Sequence, residues 1–479
     1  MEEKKKYKNL ALNAGLFAIN AFATKFVVFL LVPLYTYFMT TEEYGLTDMS
    51  LTVINLVTPL ATLAIADAAV RFIVGDRGRE EEYAFIAFAI TCLSILFVIL
   101  LTPLLDLDVF GGLGRYKIEF VFAYAASALL QLCSEVARGR GEVKLIPICA
   151  VVSSLTTCAC AGVLIGLCGL AIEGYFISVT IGPILATLIY LTFGSIGSLV
   201  IAGMHSQLGC SDITVRLKRD LKPMLQYSLP LIPNALFWWV GTSINRFFIT
   251  GMISIGASGL FAAAGKVPGL VNTAYTVFQQ AWQLSAFQEA KEEGLDRFFS
   301  QVFKLLQALM LLLCSALSLL APIVASVFLQ GEFYDAWPLM TVLLLSNLLN
   351  VFNAFFGTVY TTTMHTCYIM KTTVYGAVAC VILTPLLIMP FGVVGACIAS
   401  CCGNALVLIM RVLDSRKFLR VNVGWVLFVP CLILIALQSL LALLQIPNWQ
   451  VFSAILFLSI LVMQAIRLAP LLRVVRDKR

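Results

Sequence analysis

Predominantly apolar runs of 18 or more residues recur from one end of this chain to the other, and that feature decides which solvent it folds in. Such a run, as an α-helix, crosses the roughly 30 Å hydrocarbon core of a bilayer. In hydrocarbon only helices and closed barrels satisfy their own backbone N–H and C=O groups, and continuous rather than alternating apolarity selects helices. Of 479 residues only 12% are charged, against about 25% in a soluble domain. The expected fold is an all-α polytopic membrane protein of about 14 transmembrane helices. Candidate spans lie near 12–38, 45–73, 83–104, 117–137, 145–168, 173–203, 223–251, 257–288, 298–328, 336–363, 367–389, 392–411, 422–443 and 449–470. The run after "MEEKKKYKNL" has transmembrane length and lacks a small-residue cleavage site, so no cleaved signal peptide is expected. The 14 cysteines lie almost all within apolar runs such as "TTCACAG" and "ASCCGNA" and read as small helix-packing residues.

Lysine and arginine set the orientation. With the N-terminus cytoplasmic, the tails and inner loops hold 24 of the 32 basic residues, the outer loops hold two (Arg115 and Lys117), and six lie within spans. The predicted protein is multi-pass with both termini cytoplasmic. The longest non-apolar stretch, residues 204–222, reads as a basic cytoplasmic linker. It separates an N-terminal six-helix lobe (1–203) from a C-terminal six-helix lobe (223–420), and residues 421–479 add a helix pair and a basic tail. The lobes resemble each other weakly: "EEYGLTDMSLTVINLV" aligns with "GASGLFAAAGKVPGLV", placing Gly45-Leu46 on Gly259-Leu260. Six spans per lobe give both the same orientation, which predicts a parallel repeat.

Charged residues inside spans mark functional sites unless they can snorkel from a helix end. Lys25 lies about thirteen residues from either end of the first span, too deep to snorkel. Arg246 and Lys266 lie within the seventh and eighth spans. Arg71 follows Asp67 by one turn, so the two are expected to pair. Lys304 and Arg467 lie near inner ends, where snorkelling is expected. Polar stripes accompany the deep cations: Asn20 and Thr24 beside Lys25; Asp48, Thr52, Asn55 and Thr62 along the second span; Asn245 before Arg246; Thr273 and Gln280 after Lys266. The first two spans of each lobe are thus expected to line a net-positive cavity suited to an anion with an apolar tail. Proline and glycine at "TPLAT", "SLPLIPNAL" and "GKVPGL" are expected to bend helices.

The segments "FLLVPLYTYFMTTEEYGLTDM", "YSLPLIPNALFWWVGTSINRFFI", "GLFAAAGKVPGLVN" and "FQQAWQLSAFQEA" resemble the polysaccharide-biosynthesis (O-antigen-type) flippases of the multidrug/oligosaccharidyl-lipid/polysaccharide exporter superfamily. The resemblance spans roughly residues 10–420. It implies two six-helix lobes with alternating access. It also implies transport of an undecaprenyl-diphosphate-linked oligosaccharide across the bacterial cytoplasmic membrane. Substrate contacts would fall on Lys25, Arg71, Arg246 and Lys266. Relatives often carry an aspartate just before the span 7 arginine; here Asn245 stands in its place. The implied partners are the lipid-linked oligosaccharide, membrane lipids and the polysaccharide polymerase machinery. No cofactor is implied; the energy source would be a coupling ion, proton or sodium, or the membrane potential.

Two rival readings exist. A small-molecule antiporter of the same superfamily would export organic cations, and a positive cavity argues against it. An integral-membrane glycosyltransferase would need an acidic metal site, and the one candidate, Asp106 and Asp108 in "DLDVF", reads as a solvated loop. No catalytic nucleophile, nucleotide-binding or metal motif occurs, and the basic segments are orientation signals rather than a nucleic-acid surface.

Overall fold

The computed structural model describes residues 29, 31–142, 144–208, 213–288, 294–365 and 367–476. The described residues contain helices and no strands. After helical residues 31–38 come α1 (Thr41–Ala61), α2 (Ile65–Gly75), α3 (Glu80–Leu101), α4 (Lys117–Arg140), α5 (Leu145–Ala161), α6 (Ala171–Thr192) and α7 (Ile196–Leu208). Then follow α8 (Ile213–Ser228), α9 (Leu231–Met252), α10 (Ile255–Ala264), α11 (Lys266–Gln288), α12 (Leu295–Leu319) and α13 (Ala321–Phe328). The last are α14 (Trp337–Thr362), α15 (Cys367–Phe391), α16 (Val393–Ser415), α17 (Trp425–Leu444) and α18 (Trp449–Arg476). Ten stretches among the described residues are long and apolar enough to cross a bilayer, or eleven counting the bent pair α1–α2 as one span. The first expected span lies mostly outside the described residues. Helices α9 and α11 have the length but not the hydropathy, because Asn234, Asn245, Arg246, Lys266, Asn272 and several glutamines interrupt their apolar runs.

All three expected bend sites are helix breaks. Within "TPLAT", Pro59 has no N–H to donate, and Leu63 and Ala64 turn into positive φ (54° and 49°). The result is a 51° angle between α1 and α2. "SLPLIPNAL" separates α8 from α9, and "GKVPGL" separates α10 from α11. Helix α1 is started by a capping box: Glu43 N–H donates to Thr40 Oγ1 (3.2 Å), and Thr40 N–H donates to Glu43 Oε2 (2.8 Å).

By internal contacts the chain forms two units. The first comprises residues up to Trp239 together with Ser254–Gly259; the second comprises Val240–Ile253 and Leu260 onward. In the first, α4 packs on α2 and α6, and α5 packs on α6. In the second, α14 packs on α11 and α16, and α15 packs on α16. The same order of pairings thus occurs twice, as the internal repeat predicts. The added pair α17 and α18 packs on α12, with α17 also against α14, inside the second unit.

The two cores differ in chemistry. In the first unit one cluster is rich in small aliphatic side chains, with Ile65, Ala68, Ala69, Ile73, Ala84 and Ala137 around Tyr83 and Tyr190. The second is centred on α14, most of whose residues are buried among its neighbours. There Trp282 stacks on Phe355 (5.2 Å between centroids), and Phe303 meets Phe352, Phe356 and Phe428 at 5.1–6.1 Å.

The aligned glycines of the repeat touch within the first unit. A Cβ on Gly259 would overlap the carbonyl oxygen of Thr41 and lie 3.1 Å from Gly45 Cα; a Cβ on Gly45 would overlap the carbonyl oxygen of Ile255. Backbone, not a flexible side chain, is what stands in the way. Gly259→Val is therefore expected to destabilise the protein by about 1–3 kcal/mol, the usual cost of overpacking. Thermal unfolding in detergent measures this; an unchanged melting temperature would contradict the close approach.

Candidate functional site

Arg246 lies on α9 in the second unit, half-buried, with its guanidinium carbon 6.0 Å from the ring centroid of Phe261 on α10. That distance is the outer limit of a cation–π contact. Its neighbour Asn245 is 4% exposed and joins three helices. Asn245 Nδ2 donates to Ser400 Oγ on α16 (2.6 Å), while its Oδ1 accepts from Thr384 Oγ1 on α15 (2.7 Å). Ser400 Oγ in turn donates to the carbonyl of Ala396 (3.1 Å). Every member of this chain is neutral. Lys266 opens α11 directly after the break at Gly265 and is half-buried. Thr273, about two turns along the same side of α11, returns its hydroxyl to the Gly269 carbonyl (3.1 Å). Gln280 lies on the same helix, its side chain outside the described set. Lys25, Asn20 and Thr24 also lie outside the described residues.

In the first unit the stripe on α1 divides. Asp48 is 6% exposed; Thr52 is also buried, donates to the Asp48 carbonyl (2.7 Å) and has its own carbonyl held by Trp239 Nε1 (3.0 Å). Asn55 is exposed. Asp67 and Arg71 are both exposed on α2, and among the described residues no ion pair joins them. On α4, Arg138 pairs with Glu135 at 3.0 Å. A cavity of about 230 Å³ between α1, α4, α5 and α6 has a largely apolar wall, with Leu31, Leu51 and Ile54, into which the hydroxyl residues Ser127, Ser153, Ser154, Thr157 and Tyr175 are set.

Several polar groups were not singled out from the sequence. Asn272 on α11 donates to Asn347 on α14 and accepts from Asn350 (3.4 Å). Asn404 donates to the Ser346 hydroxyl (3.0 Å), and Asn353 to the Asn404 carbonyl (3.0 Å). Arg411, counted above with an inner loop, is 8% exposed inside α16. Its guanidinium donates to the Asn353 carbonyl (2.7 Å) and to the hydroxyls of Thr372 (3.1 Å) and Thr373 (3.2 Å). Arg467 does not snorkel freely either: its Nη2 holds the Val423 carbonyl (3.0 Å). The only sequence signal for these groups is asparagine or arginine within an apolar run. Asp106 is exposed and pairs with Lys117 (2.5 Å). No group of three or more metal-ligating side chains exists among the described residues.

No curated protein sequence matches the chain. Its fold is similar to that of the lipid II flippase MurJ in an inward closed conformation, with a TM-score of 0.72 at 13% identity over 95% of this chain and 99% of that one. It is also similar to an inward-facing multidrug resistance MATE family transporter of the MOP superfamily (TM-score 0.64, 16% identity, 84% and 94% covered). A third likeness is to a MOP superfamily transporter from Pyrococcus furiosus, described as having a binding pocket of reversed polarity (TM-score 0.58, 16% identity, 85% and 95% covered). At these identities the likeness is one of fold. The family model for polysaccharide biosynthesis proteins matches residues 10–283, more than half the sequence. This multi-pass membrane protein, with the fold of MurJ and MATE transporters, belongs to the polysaccharide biosynthesis protein family.

Proposed function

We propose that the chain flips an undecaprenyl-diphosphate-linked oligosaccharide across the bacterial cytoplasmic membrane by alternating access. Lys25, Arg71, Arg246 and Lys266 would engage the diphosphate. What supports this reading is the presence of two half-buried cations, Arg246 and Lys266, on successive long helices of the second unit. Arg246 lies 6.0 Å from the Phe261 ring centroid and is preceded by an amide, hydrogen-bonded to Ser400 and Thr384, rather than a carboxylate. Lys266 heads the next long helix. Basic side chains are costly at membrane depth, and a phosphate group is what charge-assisted hydrogen bonds of this kind hold well. Family membership and the likeness to a lipid II flippase support the same substrate class. A proton, sodium or the membrane potential would drive the cycle, and the polymerase machinery would take the product. The fold shared with MATE transporters keeps small-molecule antiport as the second reading.

Proteoliposomes carrying a fluorescent undecaprenyl-diphosphate saccharide decide between them. The expected result is protein-dependent quenching of inner-leaflet label by an impermeant reductant. Uptake of organic cations without lipid movement would replace the flippase reading with the antiporter. Topology is tested separately on a background lacking native cysteines. An impermeant thiol reagent added from outside is expected to label Asp108→Cys and to miss Ser211→Cys. The reverse pattern would overturn the orientation read from the basic loops.

A further inference from the structure

A cavity of about 340 Å³ lies in the second unit at the start of α12, where the segment between α16 and α17 crosses it. Arg297, Lys304 and Arg420 line it with Ser300 and Asn422, and among the described residues Asp296 is the single carboxylate. Among the described residues none of these three cations takes part in an ion pair; those pairs lie elsewhere.

The walls are fastened. Ser300 is 8% exposed and uses both hydroxyl functions: it accepts from Asn422 N–H (2.8 Å) and donates to the Asp296 carbonyl (2.6 Å). Gly424 N–H donates to Asn422 Oδ1 (3.1 Å), and Arg467 Nη2 holds the next carbonyl, that of Val423. The segment carrying Arg420 is thus held from α12 on one side and α18 on the other.

Two features give the ligand an apolar part. Continuing one stripe from Gln301 at the cavity, Leu305 (60% exposed), Leu309 (59%) and Leu313 (36%) run up α12 at four-residue spacing, a lipid-facing track that begins at the cationic mouth. Trp425, at the first turn of α17, has the guanidinium of Arg416 5.9 Å from its ring centroid. Tryptophan beside arginine is the composition of the headgroup level. We infer that this cavity binds the phosphate headgroup of an anionic glycerophospholipid, with the acyl chains along Leu305, Leu309 and Leu313. Basic pockets between transmembrane helices recognise such headgroups, and a free phosphate would leave the leucine track unused.

The test is native mass spectrometry of the full chain in detergent, with phosphatidylglycerol, phosphatidylcholine or inorganic phosphate added. Phosphatidylglycerol is expected to be retained over phosphatidylcholine. Arg420→Gln and Lys304→Gln are each expected to lower that retention roughly fivefold, one surface charge apiece. Lys304→Arg is expected to keep it, as is Lys371→Gln, which removes an exposed cation on α15. Equal retention of the two lipids, or an equal loss on Lys371→Gln, would overturn the site. Displacement of the lipid by millimolar inorganic phosphate would overturn the lipid assignment in favour of the free anion.

Discussion

Lys25→Ala and Arg246→Ala should each abolish glycan export while the protein still inserts into the membrane. A diphosphate carries more charge than one ammonium can balance where the dielectric is low. Each charge-assisted hydrogen bond to such a group is worth about 1.5–3 kcal/mol, so losing one partner should lower export at least about tenfold. Lys25→Arg keeps the charge and should retain partial activity. Arg246→Lys should do worse than wild type, because it loses the planar fork that meets two phosphate oxygens at once. Arg246 also packs near Phe261. Arg246→Met, which keeps the apolar stem without the charge, therefore separates packing from electrostatics. Export is read by complementation at matched membrane abundance. Normal export by Lys25→Ala would remove that residue from the site; normal export by Arg246→Met would make Arg246 a packing residue.

What was legible in the sequence is what depends on local chemistry. A proline deletes its own N–H wherever it sits, so the breaks after Pro59, around Pro230 and before Pro268 could be placed from "TPLAT", "SLPLIPNAL" and "GKVPGL". The repeat was visible at Gly45 and Gly259 because a backbone contact that close admits no side chain at either position. The polar interior of the second unit was not legible, since its partners are remote in sequence. Asn245 meets Ser400 across 155 positions, and Asn272 meets Asn347 across 75. Nothing local tells an asparagine that bridges helices from one that faces a cavity. Arg411 shows the same limit at a span end. Next to "VLDSRKFLR" it looks like one more loop cation, yet it lies on α16, and its guanidinium is held by the Asn353 carbonyl on α14 and the Thr372 and Thr373 hydroxyls on α15. The Asp67–Arg71 spacing suits a helical pair, yet both side chains are exposed and no ion pair joins them among the described residues.

Relatives often carry an aspartate here, but in this chain an amide bridges Ser400 and Thr384, so Asn245→Asp should lower export as severely as removing Arg246, though it changes one atom and adds no bulk. The amide now receives the Thr384 hydroxyl on Oδ1 and gives Nδ2–H to Ser400. A carboxylate keeps the first bond and cannot make the second, so the Ser400 proton has to leave the Ala396 carbonyl and turn toward the new anion. That rearrangement alone costs a hydrogen bond, about 1 kcal/mol. The larger effect is electrostatic. A charge placed in a buried position of this kind attracts the nearest cation, and the nearest along the chain is Arg246, the next residue. Its positive field would be spent within the protein rather than on a phosphate. Asn245→Ser removes the bridging amide without adding charge and serves as the comparison. It should cost about 1–3 kcal/mol of thermal stability, from polar groups left unsatisfied, while retaining most of the export. Equal loss of export in the serine and aspartate variants would show that the three-helix bridge matters as scaffolding alone. Full export by Asn245→Asp would mean that the charge of Arg246 does not act on the substrate.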